Sequence, residues 1–178
     1  KTGANEIHPY NNYRIIAGQA TAAMEFFEEC PDLHKIIAPV GGGGLLSGTA
    51  LATRYFSSNT KVIAAEPEMA NDAFRSFYEG KFIPSVNPKT IADGLLTSLG
   101  TLTYPIILKH VNQIITANET SIIEAMKLIW ERMKIIVEPS SAVPLASLIE
   151  NKIDIKGQNI GIIISGGNVD LEKLPWTI

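Results

Sequence analysis

The chain has 178 residues, 46% hydrophobic and 19% charged, with a formal net charge of −3. That composition describes one globular domain with a core and excludes a disordered tail; without a basic stripe, nucleic acid is excluded as a partner. The lone Cys30 excludes a disulfide framework and a thiolate zinc site, no apolar run reaches the roughly 18–20 residues of a membrane span, and a reducing cytoplasm is the expected compartment.

Residues 1–6 show neither an initiator Met nor a signal-peptide pattern and read as a cut through a longer protein. Gly18 to Cys30 reads as a helix closed by Pro31. Lys35 to Val40 is a short continuous apolar run, the mark of a strand buried on both faces. Leu45 to Phe56 is helical, Lys61 to Ala65 is a second buried strand, and Asn71 to Glu79 is a short helix stopped by Gly80. Pro84 to Gly100 reads as loop with a short helix, and Tyr104 to His110 as helix. Asn112 to Ala117 is a strand, after which Asn118 caps a long helix to about Lys134. Pro139 to Glu150 is helical, and Gln158 to Ile164 is a strand ending in Ser165-Gly166-Gly167-Asn168. Strands alternating with helices predict an α/β fold, an open, mostly parallel sheet flanked by helices.

Between the first strand and its helix stand Gly41, Gly42, Gly43 and Gly44. Ligands of open α/β sheets sit beyond the carboxyl ends of the strands. A helix N-terminus there offers unpaired N–H groups and a positive dipole end. Without Cβ atoms, successive N–H groups can ring one phosphate, and Ser47 and Thr49 are placed to add hydroxyls. The spacing does not follow the dinucleotide G-x-G-x-x-G cleanly, although Glu66 ends the next strand where a ribose-binding acid would stand; a P-loop fails because Leu45 and Leu46 follow Gly44. In a parallel sheet the Ser165 tip shares an edge with the glycines, so the two tips would hold opposite ends of a phosphorylated aromatic cofactor. A serine, unlike an aspartate, would not keep a pyridine nitrogen protonated.

His8-Pro9, Ala17-Gly18-Gln19-Ala20-Thr21, Pro39 to Leu45, Ala65-Glu66-Pro67, Thr90 to Gly94, Trp130 to Lys134, Glu138-Pro139-Ser140 and Ser165 to Asn168 occur in an order that covers nearly the whole chain. On these pieces the chain resembles the fold-type II pyridoxal-phosphate enzymes, in the serine/threonine dehydratase and serine racemase group. The resemblance implies that residues 1–178 are the C-terminal portion of the large cofactor domain. It implies phosphate contacts from Gly41, Gly42, Gly43, Gly44 and the Leu45 backbone, a ring-nitrogen contact from Ser165, Gly94 near the cofactor, and Glu138 supporting the pyridine end. It also implies a Mg²⁺ or Ca²⁺ site at Glu66, the Ala70 carbonyl and Asp72, a hard oxygen set completed by water; the plainer alternative is an acidic loop whose Asp72 favours a helix dipole.

Such enzymes hold pyridoxal 5'-phosphate as a Schiff base on a lysine, and none of this chain's lysines stands in the Ser-x-Lys setting the family uses. Lys1, Lys152, Lys156 and Lys173 fall in terminal or loop segments, Lys35 and Lys61 at the opposite strand edge, Lys81 and Lys89 in a Pro-rich loop, and Lys109, Lys127 and Lys134 on helical stretches. The lysine, the small domain and the opposite-face base would lie upstream, so no catalytic residue is assigned here and this chain alone is expected to be inactive. The intact protein would take L-serine or L-threonine to a keto acid and ammonia, with serine racemisation as a second activity, as a homodimer. No regulatory domain is expected after Trp176. Two alternatives stay open: a cysteine-synthase-like β-replacement enzyme and a non-catalytic phosphate-ligand fragment.

Of the remaining residues, His8 and Asp93 read as turn formers, His34 and His110 as surface, Cys30 as structural, and Trp130 with Met133 as packing on one face. Glu138 alone could be a helix-ending carboxylate, and Asn168 an organiser of its loop through backbone bonds.

Overall fold

The structure, a computed structural model describing residues 3–176, pairs four strands in parallel: β1 (Lys35–Pro39), β2 (Lys61–Pro67), β3 (Gln113–Ala117) and β4 (Ile160–Ile162), in the order β3-β2-β1-β4. Ile37 stands opposite both Ile63 and Ile162, and Ala65 opposite Ile115. Side chains alternate across a strand, and both faces are covered. Ile36, Ala38, Val62, Ala64 and Ile114 pack with Phe27, Leu46, Ala73 and Ile107 from α1 (Tyr13–Glu29), α2 (Gly44–Phe56), α3 (Asp72–Glu79) and α4 (Thr103–His110). Ile37, Ile63 and Ile115 pack with Ile122, Met126, Ala142 and Val143 from α5 (Glu119–Leu128) and α6 (Pro139–Ile149). Each fully buried isoleucine contributes about 1.5–3 kcal/mol, against a strand propensity scale spanning about 1 kcal/mol. Two-sided burial therefore sets these strands.

Several boundaries differ from the sequence reading. The first helix begins at Tyr13, not Gly18, because the Asn12 side chain accepts the Arg14 N–H at 2.8 Å and caps it; Gly18 is absorbed inside. Asn118 does cap α5, accepting from Ser121 N–H at 3.0 Å. The expected helix to Lys134 instead ends at Leu128 and continues as a π-helical turn over Ile129–Met133, stopped by Lys134 at φ 60°. That turn separates the expected pair: Trp130, half-buried, packs against the core and donates to Val137 O at 2.8 Å, whereas Met133 is 57% exposed. Lys134 is thus a left-handed stop and not part of a helical face. The last strand pairs over Ile160–Ile162 alone.

Strands β2 and β3 add on one side of β1, and β4 on the other. The chain reverses its direction of growth at β1, and the crevice at such a reversal is where open α/β sheets bind ligands. Gly41 follows β1 and Ser165 follows β4, so the two expected tips are neighbours on the carboxyl edge. Among the described residues no helix is long and apolar enough to cross a membrane.

Candidate functional site

A cavity of ≈ 380 Å³ opens at that crevice, and it is lined by Gly41, Gly42, Gly43, Gly44, Leu45, Gly94, Glu138 and Ser165. All eight residues expected around a cofactor from the sequence therefore come together, from four separate stretches of chain. Pro9, Tyr10, Gln19, Thr97 and Ser140 also line it, with the apolar Pro39, Leu46 and Leu95.

The glycine loop earns its composition at two points. Gly43 is the residue before α2 and sits at φ 87°, in the left-handed region that glycine enters without strain. Gly42 lies directly under the Tyr10 ring, leaving no room for a Cβ. No side chain caps α2, in contrast to the asparagine caps of α1 and α5. The first-turn N–H groups of α2 have no partner within their own helix, and Gly44, Leu45 and Leu46 line the cavity. Buried Thr103 aims the loop: its Oγ1 donates to Gly42 O at 2.8 Å and accepts Gly100 N–H at 2.8 Å. A peptide is planar and trans, so its carbonyl and N–H point in opposite directions. Holding the Gly42 carbonyl on the Thr103 side turns the Gly43 N–H the other way. The expected hydroxyls of Ser47 and Thr49 are not part of this wall. Both are fully buried, without a hydrogen-bond partner, because the helix turns those positions into the core.

At the far end, Ser141 organises the β4 tip. Its Oγ accepts Gly166 N–H and donates to Gly166 O, both at 2.6 Å. That proton is committed, so Ser165 is the donor in the 3.1 Å contact between the two hydroxyls. Glu138 starts α6 and does not end a helix. Its Oε2 accepts Asn168 N–H at 2.8 Å, and a Cβ on Gly94 would lie 3.7 Å from its Oε1. Asn168 thus enters through its backbone. Ser140, 2% exposed, accepts Gly94 N–H at 3.1 Å. Sequence reasoning missed Thr103, Ser140, Ser141 and Tyr10. Their signal was weak, a polar residue inside an apolar pattern, and Tyr10 stands beside the recognised His8-Pro9.

Among the described residues no lysine lines this cavity. Lys35 bonds Asp154 O at 2.7 Å and Gln158 at the opposite edge. Lys81, Lys127, Lys152 and Lys173 pair with surface carboxylates, and Lys1 lies outside the described residues. His8 is a turn former, its Nδ1 accepting Asn11 N–H at 3.0 Å. Cys30 is exposed at the C-cap of α1.

The expected metal residues lie beyond β2. Glu66, 1% exposed, accepts Ala73 N–H at 2.9 Å and Phe74 N–H at 2.7 Å, capping α3 from a distance. Burial pushes its pKa well above the usual carboxylate value, against those two bonds. Asp72, 1% exposed, has no close hydrogen-bond partner on either carboxylate oxygen, and desolvation pushes it up to about 6 against the weaker opposing pull of its own backbone, Ser85, Arg75 and Leu99. It lines a ≈ 200 Å³ cavity with Ala70. Among the described residues no three His, Cys, Asp or Glu side chains cluster, so a cation here would depend on carbonyl and water oxygens. The Asp72 carboxylate and the Ala70 carbonyl suit such a hard cation, whereas Glu66 does not line the cavity, its two oxygens being taken by the α3 amides, and Arg75 does.

Residues 1–166 match the family described as pyridoxal-phosphate dependent enzyme. The chain is 51% identical over 176 residues to the beta-hydroxyaspartate dehydratase of Paracoccus denitrificans, covering 99% of this chain and 56% of that protein. It is 52% identical over 175 residues to a serine racemase of Dictyostelium discoideum, covering 94% and 53%. The structure of maize serine racemase matches with a TM-score of 0.92 at 43% identity, over 96% of this chain and 54% of that one. A cysteine synthase of Entamoeba histolytica shares the fold, with a TM-score of 0.70 at 21% identity. The chain spans about half the length of the curated relatives it matches.

Proposed function

The chain belongs to the pyridoxal-phosphate dependent enzymes, and from that premise we propose that it is the cofactor-holding part of a serine/threonine-type ammonia-lyase or racemase. The observation that carries this is the single cavity joining the uncapped α2 N-terminus to the Ser165 hydroxyl across the β1/β4 crevice. The amides of Gly43, Gly44 and Leu45, with the positive end of the α2 dipole, hold the phosphate dianion. Ser165 swings its proton from Ser141 to the ring nitrogen, and a neutral hydroxyl leaves that nitrogen unprotonated. Glu138, fixed by Asn168, closes the ring end beside Gly94. Pyridoxal phosphate, when bound, supplies the electron sink for a carbanion at the substrate α-carbon. Without a lysine in the wall this chain contributes binding and orientation, and turnover requires an anchoring lysine from elsewhere in the protein.

Serine, threonine and hydroxyaspartate are the substrates this reading proposes. The relatives at 51–52% identity are a dehydratase and a racemase, which supports β-elimination and α-proton exchange over β-replacement. A homodimer and a cytoplasmic location belong to the same reading and rest on the resemblance. Glu66, the Ala70 carbonyl and Asp72 would hold a divalent cation, with Asp72 and Ala70 facing the cavity and water completing the set, and its charge would offset the two raised carboxylates beside α3.

The test uses the full-length gene product loaded with pyridoxal phosphate. We expect keto acid and ammonia from L-serine, L-threonine or L-threo-3-hydroxyaspartate, with D-serine formed from L-serine if exchange competes. Absence of a cofactor absorbance band together with absence of product would refute the assignment.

A further inference from the structure

At the amino ends of the strands, on the edge opposite the glycine loop, a second cavity of ≈ 290 Å³ opens between the last turns of α2 and α4 and the starts of β2 and β3. Arg54 comes from α2, and Lys109 and His110 from α4. Among the described residues no acidic residue lines the cavity, and none of these three side chains forms an ion pair.

Basic residues in a last helical turn ordinarily offset the dipole, about half a charge per helix. Here Arg54 and Lys109 face two helix ends, so a surplus of about one positive charge remains. His110 responds to that surplus: burial first, then the neighbouring Lys109 and Arg54, hold it below its usual 6.5. The neutral lining is partly committed. Thr60 Oγ1 donates to Leu33 O at 2.6 Å, so the 2.7 Å contact with Ser57 uses the Ser57 proton. Thr53 donates to Thr49 O at 2.7 Å. Asn112 Oδ1 accepts Val62 N–H at 2.8 Å, which leaves its amide NH₂ to donate, and the Ser58 hydroxyl has no partner among the described residues. The uncommitted groups are therefore two cations, the donors of Asn112 and Ser58 and an imidazole that can donate, and they converge from α2, α4 and the loops that follow them on a space near the lower limit of small-ligand sites, about 300 Å³.

We propose that this cleft binds a phosphate group, free or as the monoester of a small molecule, through Arg54, Lys109 and His110, with Ser58 and Asn112 donating to the remaining oxygens. Tetrahedral oxyanions take several donors from different directions, and phosphate at neutral pH matches the surplus charge. The site does not depend on the cofactor assignment.

The experiment follows the imidazole ¹H–¹³C NMR resonances, with His110 identified by its loss in His110→Gln. Inorganic phosphate and glycerol 3-phosphate are titrated into protein loaded with pyridoxal phosphate, so that the glycine loop is already filled, and into cofactor-free protein. We expect phosphate to raise the apparent pKa of His110 by about one unit and leave His34 unmoved. Chloride at equal ionic strength should move neither residue. In the double variant Arg54→Gln/Lys109→Gln, both exposed positions on helix ends, the response should vanish. Tighter binding of glycerol 3-phosphate assigns the monoester, and tighter binding of inorganic phosphate the free anion. An equal response to chloride, or a response that survives in the double variant, overturns the proposal. Since the readout is His110 and not turnover, failure of the proposed enzymatic activity would leave this result interpretable.

Discussion

Replacing Thr103 by valine keeps the side chain's shape and deletes one hydroxyl. Two bonds of 2.8 Å disappear, to Gly42 O and from Gly100 N, and Gly100 N–H keeps a longer 3.3 Å approach to Gly42 O. At about 1 kcal/mol per bond, with the larger figure where a buried group is left unpaired, the loss is about 2 kcal/mol. For a chain of this size that lowers Tm by roughly 4–8 °C. The second effect concerns binding. If Thr103 turns the Gly43 amide toward the cavity, its removal weakens a charge-assisted hydrogen bond to phosphate, about 1.5–3 kcal/mol, or roughly 10- to 100-fold in the dissociation constant of pyridoxal phosphate. Thr103→Ser keeps the hydroxyl and should bind near the wild-type level, with a smaller loss of stability from the missing methyl. Thermal unfolding of the cofactor-free protein and a fluorescence titration with pyridoxal phosphate separate the two effects. If Thr103→Val loses stability but binds as tightly as Thr103→Ser, the argument that this hydroxyl aims the loop is wrong.

Other positions test the same structure. Gly43→Ala would place a Cβ 2.8 Å from Ile107 Cδ1 at φ 87°, whereas Gly80→Ala at φ 67° meets nothing within 4 Å; the first should cost clearly more than the about 1 kcal/mol of the second and abolish phosphate binding, and equal losses in chemical denaturation would contradict the packing. Ser165→Ala, at an exposed strand tip, should stay within about 0.5 kcal/mol of wild type while shifting the cofactor absorbance and lowering kcat, and an unchanged spectrum would remove the ring-nitrogen role. Asp72 titrates in the fold at about 6 instead of 3.8. Its contribution therefore favours folding below 3.8 and is lost as pH rises through 6, by up to roughly 3 kcal/mol. In chelator, Asp72→Asn should be more stable than wild type near neutral pH; Mg²⁺ or Ca²⁺ should raise the Tm of wild type and not of the variant, and equal shifts in both would dismiss the cation site.

The alternation of apolar runs with helical patterns, and the glycines between Val40 and Leu45, are local properties, written in consecutive residues. They were enough for the fold class and for the carboxyl-edge location; of the eight residues that share one cavity, Leu45, Gly94 and Glu138 came only from the family resemblance. Local signals misjudged what depends on partners far along the chain. The π-helical turn at Ile129–Met133 exposes Met133 against its helical spacing, and the core claims the hydroxyls of Ser47 and Thr49. A helix start at Tyr13 was hidden because Gly18 resembled a boundary and the Asn12 cap looked like one polar residue among several.

What the order of residues determined by itself was the period of burial and the stretches of backbone free of Cβ, since both follow from side-chain chemistry position by position. Tertiary structure alone decided that β4 lies against β1, that Thr103 reaches Gly42 across 61 residues, and that Ser141 holds the Ser165 tip. Those contacts arise from the closing of the sheet, in which distant segments compete for the same buried donors and acceptors, and no local pattern encodes the winner.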